Sequence, residues 1–450
     1  MDLSTKSMKL SVRAQQQPKG GNIMERRKNK GYSQKWRACS TLVVVCGMMI
    51  MCLVVSPVLG AEKVELYGVV KRYPITEAAT KAAREDLTWA KLDVDLMPSK
   101  AQYDKTRMLL HAKSPDLDIV HLNESVTAEW APFLEPLNDY MKRYWDKYKF
   151  GDMNQGILDM LSVEETVYGL PNDMNGLLLF YRKDLLDQAG VAVPTTMDEF
   201  LKAAKKLTTN ERKGIALQMR RPVGTQTSFS YFLWSVGGDY FDENWIPIFN
   251  NEKGIQALEL LGEFYKCAPE GSLDFWADEQ TIALQQDKAA MGINWVTRCA
   301  KMDDPKFSKV VGKMQFAPAP GAPPFSGCGR AVAGGWSISK FSRHKEKAFE
   351  TIAYLASEEL AMRFADLAIS PRSAVFTNPE INEKYRWYRP AGEALGRGRP
   401  LPSFPEFWEI GDHMAIQIQR FLIGEMQAKA ALDIAAEKSE ALLKQKGYVK

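Results

Sequence analysis

Histidine and cysteine are scarce in this sequence. The four histidines, His111, His121, His344 and His413, stand isolated from one another and from any cysteine, so no zinc-ligand spacing exists. Of the six cysteines only Cys267, Cys299 and Cys328 lie beyond residue 60. In an oxidising compartment these allow one disulfide, Cys299 to Cys328, with a thiol left over, and three buried thiols are the alternative. There is no Gly-rich phosphate loop and no nucleophile elbow. Ser337-Ile-Ser-Lys340 has a Ser-x-x-Lys spacing, but its Ser-Asp-Asn and Lys-Thr-Gly companions are missing, and it reads as a strand end. No catalytic residue, metal or cofactor is expected. No internal repeat and no long Gly, Ser or Pro tract is present, which excludes a solenoid and a flexible linker.

Charge of one sign is also missing from the part that should fold. The whole chain is +4, but its first sixty residues hold ten Lys or Arg and two Asp or Glu. The remainder carries 49 basic against 53 acidic side chains, a net −4. No basic cluster is left to form a nucleic-acid face. The basic residues concentrate in a polar segment, with Arg26, Arg27, Lys28, Lys30, Lys35 and Arg37 preceding an apolar run from Thr41 to Val58. That order is the grammar of an export leader. Val58 and Gly60 suit the two small pockets of the peptidase, which places the cut between Gly60 and Ala61 and the mature protein in the periplasm. An uncleaved anchor is the alternative, since a run of about eighteen residues can just span a bilayer. Lipid attachment at Cys46 or Cys52 is the least favoured alternative, because Val45 and Met51, not small residues, precede them.

The whole sequence is 45% hydrophobic and 25% charged, and its length suits two domains. Alternating, β-branched Lys63–Val70 reads as a strand, Ile75–Ala90 as a helix, Leu92–Leu96 as a strand, Gln102–Ala112 as a helix and Leu117–Leu122 as a strand. This order implies parallel strands with right-handed crossovers, and ligands gather at the carboxyl ends of such strands. The turn Lys71-Arg72-Tyr73 and the pair Asn123-Glu124 lie at those ends. A second region follows Tyr168, with a strand over Gly176–Tyr181, a helix capped by Thr195 or Thr196 with Glu199 completing a capping box, and a strand over Ala289–Trp295. A Pro/Gly-rich crossover from Pro318 to Gly329 leads to a strand at Gly335–Ser339, and a long helix over Gln427–Lys446 closes the chain.

From about Lys63 to Tyr448 the chain resembles the extracellular solute-binding proteins of ABC importers, in the sugar-binding family that includes maltose-binding protein. Tyr168-Gly-Leu-Pro171, Leu179-Phe-Tyr-Arg-Lys-Asp-Leu-Leu186 and Ala189-Gly190 look like the family's Tyr-x-x-Pro, strand, Tyr-Asn-Lys-Asp-Leu and Ala-Gly run. Pro194-Thr-Thr-Met-Asp-Glu-Phe200 is similar to Pro-x-Thr-Trp-x-Glu-Phe, with Met197 in place of Trp. Asp287-Lys-Ala-Ala-Met-Gly-Ile-Asn-Trp295 resembles Gly-Lys-Ala-Ala-Met and Gly-Pro-Trp, with Asp287 and Ile293-Asn294 departing from it. Gly334-Gly-Trp-Ser-Ile338, Lys345–Leu355, Pro371-Arg372 and Pro405-Glu-Phe-Trp408 follow in the family's order.

The resemblance implies an α/β, two-lobed periplasmic-binding-protein fold with a ligand cleft between the lobes and a hinge. It implies residues 61–171 with 318–397 for the first lobe and 172–317 with 398–450 for the second, with crossings near Pro171, Pro318–Pro320 and Arg397–Pro402. It also implies a monomeric receptor that delivers a carbohydrate to ABC permease subunits in the inner membrane. A pyranose needs aromatic faces for its C–H surfaces and fixed hydrogen-bonding groups for its hydroxyls. Along the family's pattern Trp295, Trp336 and Trp408 match aromatic platforms, and Asn175 stands where relatives often carry a carboxylate. Asp173 is then the nearer carboxylate, and Asn123 and Glu124 leave the third strand where ligands reach the first lobe. Arg72, Trp234, Asp239, Arg298 and Arg372 are further candidates. Trp295 and Trp336 could equally be core, Trp234 reads as core, and Asn123 and Asp173 could be caps or turn formers. A polyol, a glycerol phosphate or another small organic solute is the alternative ligand. A periplasmic glycoside-acting enzyme using a carboxylate pair such as Glu124 and Asp173 is the alternative class.

Overall fold

The computed structural model describes residues 63–322, 327, 329–395, 397–402, 404 and 406–449. The expected export leader with its cut after Gly60, Cys328 of the expected disulfide, and Pro405 fall outside them. Cys267 and Cys299 are both buried free thiols.

The chain opens with β1 (Val64–Lys71), α1 (Pro74–Asp86), β2 (Ala90–Met97), α2 (Ser99–His111) and β3 (Ile119–Asn123), and β1 pairs in parallel with both β2 and β3. Helix α1 starts abruptly because Pro74 occupies its first turn, where a missing N–H costs nothing. Thr76 Oγ1 accepts from the Tyr73 backbone N–H at 3.2 Å, and this pins Tyr73 just ahead of the helix.

The next long strand, β4 (Leu170–Arg182), organises the molecule. After it come α3 (Met197–Leu207), β5 (Lys213–Ala216), α4 (Val223–Ser235), β6 (Ala289–Trp295), β7 (Met314–Pro318) and β8 (Ala331–Ile338). The sheet runs β2-β1-β3-β8-β4-β6-β5, with β7 also on β4. The first part of β4 pairs antiparallel with β8 as far as Gly176, and from Leu177 onward β4 pairs antiparallel with β6 and β7. One unbroken strand therefore serves two sheet regions.

Each region has an apolar cluster centred on it, and a third cluster runs through both, joining Val69, Leu122 and Met174 to Leu178, Ala216 and Met314. One apolar cluster joins Leu66, Val70, Leu92, Ile119, Leu170, Trp336 and Ile338 with the helix Lys345–Leu355. Another joins Leu177, Leu179, Phe200, Phe232, Trp234, Met291 and Trp295 with the C-terminal helices Phe407–Leu422 and Ala428–Lys446. Helix α4 is buried along nearly its whole length, which is why its sequence shows no amphipathic period. The capping box at Thr196 and Glu199 forms as expected, with Glu199 N–H donating to Thr196 Oγ1 at 3.3 Å and Glu199 Oε2 accepting from the Thr196 N–H at 3.1 Å. No helix among the described residues is long and apolar enough to cross a membrane.

Candidate functional site

The place where β4 changes partners is where three separate stretches of chain run side by side. Gly176 pairs with Ala331, and Leu177 N–H donates to Arg330 O at 3.2 Å. Arg330 bridges to Arg399, whose N–H reaches Gly329 O and whose carbonyl accepts from Ala331 N–H, both at 3.0 Å. The polar side chains of interest gather on either side of this strip.

On the β3 side, Asn123, Gly334 and Asp173 stand in one row across β3, β8 and β4. The Tyr73 hydroxyl donates to Asp173 Oδ1 at 2.6 Å and lies 3.0 Å from His121 Nε2. A hydroxyl has one proton, so with that proton given to Asp173 it accepts from His121, which fixes the proton of that ring on Nε2. Burial, with the Lys71 charge adding, pushes His121 down to about 3, and the ring is neutral at physiological pH. The Asn172 amide, turned so that Nδ2 donates, reaches Asp173 Oδ1 at 3.2 Å and Gly334 O at 3.1 Å. Asp173 Oδ1 is thus held from two sides, while Oδ2 has no hydrogen-bond partner among the described residues. Burial raises the Asp173 carboxyl, and the Tyr73 hydrogen bond opposes this.

Gly334 makes this arrangement possible. A Cβ at that position would stand 2.4 Å from Asp173 Oδ1 and 2.8 Å from the Tyr73 hydroxyl. Next to it, Glu124 Oε2 accepts from Ala333 N–H at 3.3 Å; burial raises this carboxyl too, with the Arg330 charge opposing. Asn123 is committed locally, since Oδ1 accepts from Ser125 N–H at 3.1 Å and Oγ at 2.8 Å, and Nδ2 donates to the Tyr103 hydroxyl.

On the other side, Arg330 is only 9% exposed. Its Nη1 donates to Thr227 Oγ1 on α4 at 2.9 Å, and its guanidinium lies 5.4 Å from the centre of the Trp295 ring. Nε is buried without a partner among the described residues. Arg399 repeats the pattern, lying 5.1 Å over the Trp234 ring and pairing with Asp239 at 2.5 Å. Asn175 Oδ1 accepts from its neighbour Gly176 N–H and from Thr297 N–H at 3.4 Å, joining β4 to the turn after β6.

The residues singled out in the sequence therefore separate. Glu124, Asp173, Asn175 and Trp295 surround the strip, with Asn123 at its margin and Trp234 and Asp239 behind Arg399. Trp336 is fully buried, edge-on to His121 with ring centres 5.8 Å apart. Arg372 is fully buried, and it donates to the carbonyls of Ala356, Tyr148 and Lys149. Arg72 is exposed beside Glu77 at 3.5 Å, and Arg298 pairs with Asp278 at 3.2 Å. Trp408 is 45% exposed on the helix Phe407–Leu422. Arg330 and Arg399 are not singled out in the sequence, which names Tyr73 only within the turn after the first strand and His121 only as an isolated histidine. For Arg330 a signal did exist: a charged residue heads the apolar strand Ala331–Ile338 straight out of the Pro/Gly-rich crossover.

Comparison with known proteins shows the family and the fold. The model of bacterial extracellular solute-binding proteins matches residues 74–362. The chain is 26% identical over 330 residues to a probable amino-acid ABC transporter periplasmic-binding protein of Sinorhizobium fredii, covering 70% of each. It is 24% identical over 395 residues to a mannitol-binding protein of Pseudomonas aeruginosa, covering 81% of this chain and 88% of that one. Among solved structures, an ABC transporter solute-binding protein of Agrobacterium radiobacter in complex with ribitol superposes with a TM-score of 0.71 at 25% identity, covering 84% of this chain and 98% of that one. The fold is the two-lobed α/β fold of such proteins.

Proposed function

The chain belongs to the bacterial extracellular solute-binding proteins, and on that premise we propose that it is the receptor of an ABC importer for a neutral polyhydroxylated solute, a sugar or a polyol. The observation that carries this reading is Asp173, with one oxygen locked by Tyr73 and Asn172 and the other open, set across the strip from the buried donor Arg330. Fixed acceptors and fixed donors on opposite sides of a cleft suit hydroxyl groups, each of which both donates and accepts. The name of the mannitol-binding relative and the ribitol-bound structure point the same way.

Charge narrows the class. Asp173 and Glu124 face the charges of Arg330 and Lys71, so the site is close to neutral before any ligand enters. A neutral solute leaves that balance intact, whereas a phosphate ester adds about −1.5 to −2 charges to it. An amino acid, the ligand class in the name of the Sinorhizobium relative, is neutral overall and has to be separated by experiment. The family consists of binding proteins, and we expect no turnover of aryl glycosides by Glu124 and Asp173.

The lobes are taken as 61–171 with 318–397 and 172–317 with 398–450, joined through the strip at Gly176, Arg330 and Arg399. The apolar clusters centred on either side support this division, and a third cluster runs through both. Binding favours closure only through tighter contacts in the closed state. That closed form of the exported, monomeric chain would dock on the permease in the inner membrane.

The test is a thermal-shift panel of ribitol, D-mannitol, maltose, glycerol 3-phosphate and amino acids. A ligand at one hundred times its Kd adds about 2.7 kcal/mol of stability. A rise in melting midpoint with a neutral sugar or polyol, lost in Asp173→Ala, is the expected result. A shift with glycerol 3-phosphate or an amino acid alone would refute the assignment.

A further inference from the structure

Arg330 is an expensive residue to bury. An arginine enclosed in protein is ordinarily held by a carboxylate and has all its N–H groups bonded, because an unmatched buried donor or charge costs free energy. Here the guanidinium is held instead by one threonine hydroxyl and an indole face, and Nε–H points to no partner among the described residues. Trp295 does not offer the face that Arg330 covers to a ligand; it serves as the bed that orients the guanidinium. Thr227 sets the rotation of the fork from α4, and Arg330 itself belongs to the strip that joins the lobes. Across from it, Glu124 is fixed through Oε2 by the Ala333 N–H, on the same strand that Arg330 leads into. A fixed donor and a fixed acceptor are therefore close enough for their charges to act on each other, yet Nε–H is not bonded to the carboxylate.

We propose that Arg330 is the specificity-determining residue of this site: its Nε–H donates to one hydroxyl of the solute while Glu124 accepts from the hydroxyl on the adjacent carbon, so that the receptor selects a vicinal diol. The inference rests on the reading of the protein as a sugar or polyol receptor. A solute with only one hydroxyl at this place leaves either the buried N–H or the carboxylate unmatched, and that mismatch is the basis of discrimination. Arg330 also joins ligand to hinge, since the guanidinium that meets the solute hangs from the strip about which the lobes move.

The experiment is calorimetric titration of the full chain with ribitol, D-mannitol and maltose, each beside its monodeoxy analogues, for the wild type, Arg330→Met and Arg330→Lys. Arg330→Lys keeps the charge that offsets Glu124 and is expected to keep the unliganded melting midpoint, but it has no N–H at the Nε position. Both variants should bind the wild-type ligand about 10- to 100-fold more weakly, the loss of one hydrogen bond to a charged group. Removing one particular hydroxyl should cost the wild type about tenfold or more and cost the variants nothing further. A purely structural Arg330 would weaken all ligands equally and leave the deoxy penalties unchanged, and that result overturns the proposal, as does wild-type affinity in either variant. If the wild type binds none of the three, the receptor reading itself fails and the proposal falls with it.

Discussion

His121 is a titratable ring held where it cannot take a proton. Its neighbours are Tyr73, the edge of Trp336 and the Lys71 charge, and none of them favours an imidazolium. The ring titrates near 3 in the folded protein against 6.5 unperturbed. Between those values the unfolded chain binds the extra proton, so stability rises with pH across the window; it is complete above about 6.5 and is lost as pH falls toward 3. At about 1.4 kcal/mol per pH unit the contribution is on the order of several kcal/mol. Urea midpoints measured at pH 7.5, 5.5 and 4 should fall more steeply for the wild type than for His121→Gln, and parallel slopes would show that the ring does not titrate on unfolding. The isolation of His121 in the sequence argues against a metal site but does not reveal this role, because its partners lie 48 residues away at Tyr73 and on β8 at Trp336. Trp336 illustrates the same limit. A motif places it in a strand, but which face of that strand meets the core depends on register, and register here turns Trp336 inward onto His121 and the helix Lys345–Leu355.

Among the elements, β4 departs most from its sequence. Asp173 could be a cap or turn former in the sequence, and the strand is expected only from Gly176. Pairing with β8 overrides that local preference from Leu170 onward, and the polar side chains that look like loop chemistry are strand residues aimed at the site. Helix α3 is legible because its start signal, Thr196 with Glu199, is local, whereas the helix expected over Ile75–Ala90 stops at Asp86 and Ala90 already opens β2. The crossing of β8 over the Tyr73–Asp173 pair was not legible, although its consequence is sharp. The ladder shifts register between Gly334 and Gly335, and the strand passes too close to Asp173 for any side chain at 334. Gly334→Ala must push aside a carboxylate that is held from two sides. We expect a loss of about 1–3 kcal/mol in denaturant titration, together with a weakened ligand-induced shift. An unchanged midpoint with unchanged affinity would mean that the strand yields freely.

For the whole molecule, a two-lobed architecture was readable from the length, the strand and helix order and the run of motifs, none of which depends on long-range detail. The balance of charge around the cleft was not, because it is set by residues drawn from β1, β3, β4 and the crossover before β8. The excess of basic residues sits in the first sixty, and the rest of the chain is mildly acidic, with 49 basic against 53 acidic side chains. Glu124 and Asp173 could be nominated from their positions after and before recognisable elements, whereas Arg330 and Arg399 are meaningful only once Trp295 and Trp234 lie beneath them.

The strip where the chain crosses between its two regions is sheet, not slack linker. The amides of Leu177, Ala331 and Arg399 each give their hydrogen to a neighbouring crossing segment. Such amides exchange with solvent deuterium only when those bonds open. If the lobes swing by twisting this strip, deuterium should enter these three positions as slowly as it enters the core, with and without solute. Rapid labelling there would mean that each closure breaks and remakes the sheet, and the receptor would then carry that cost in every transport cycle.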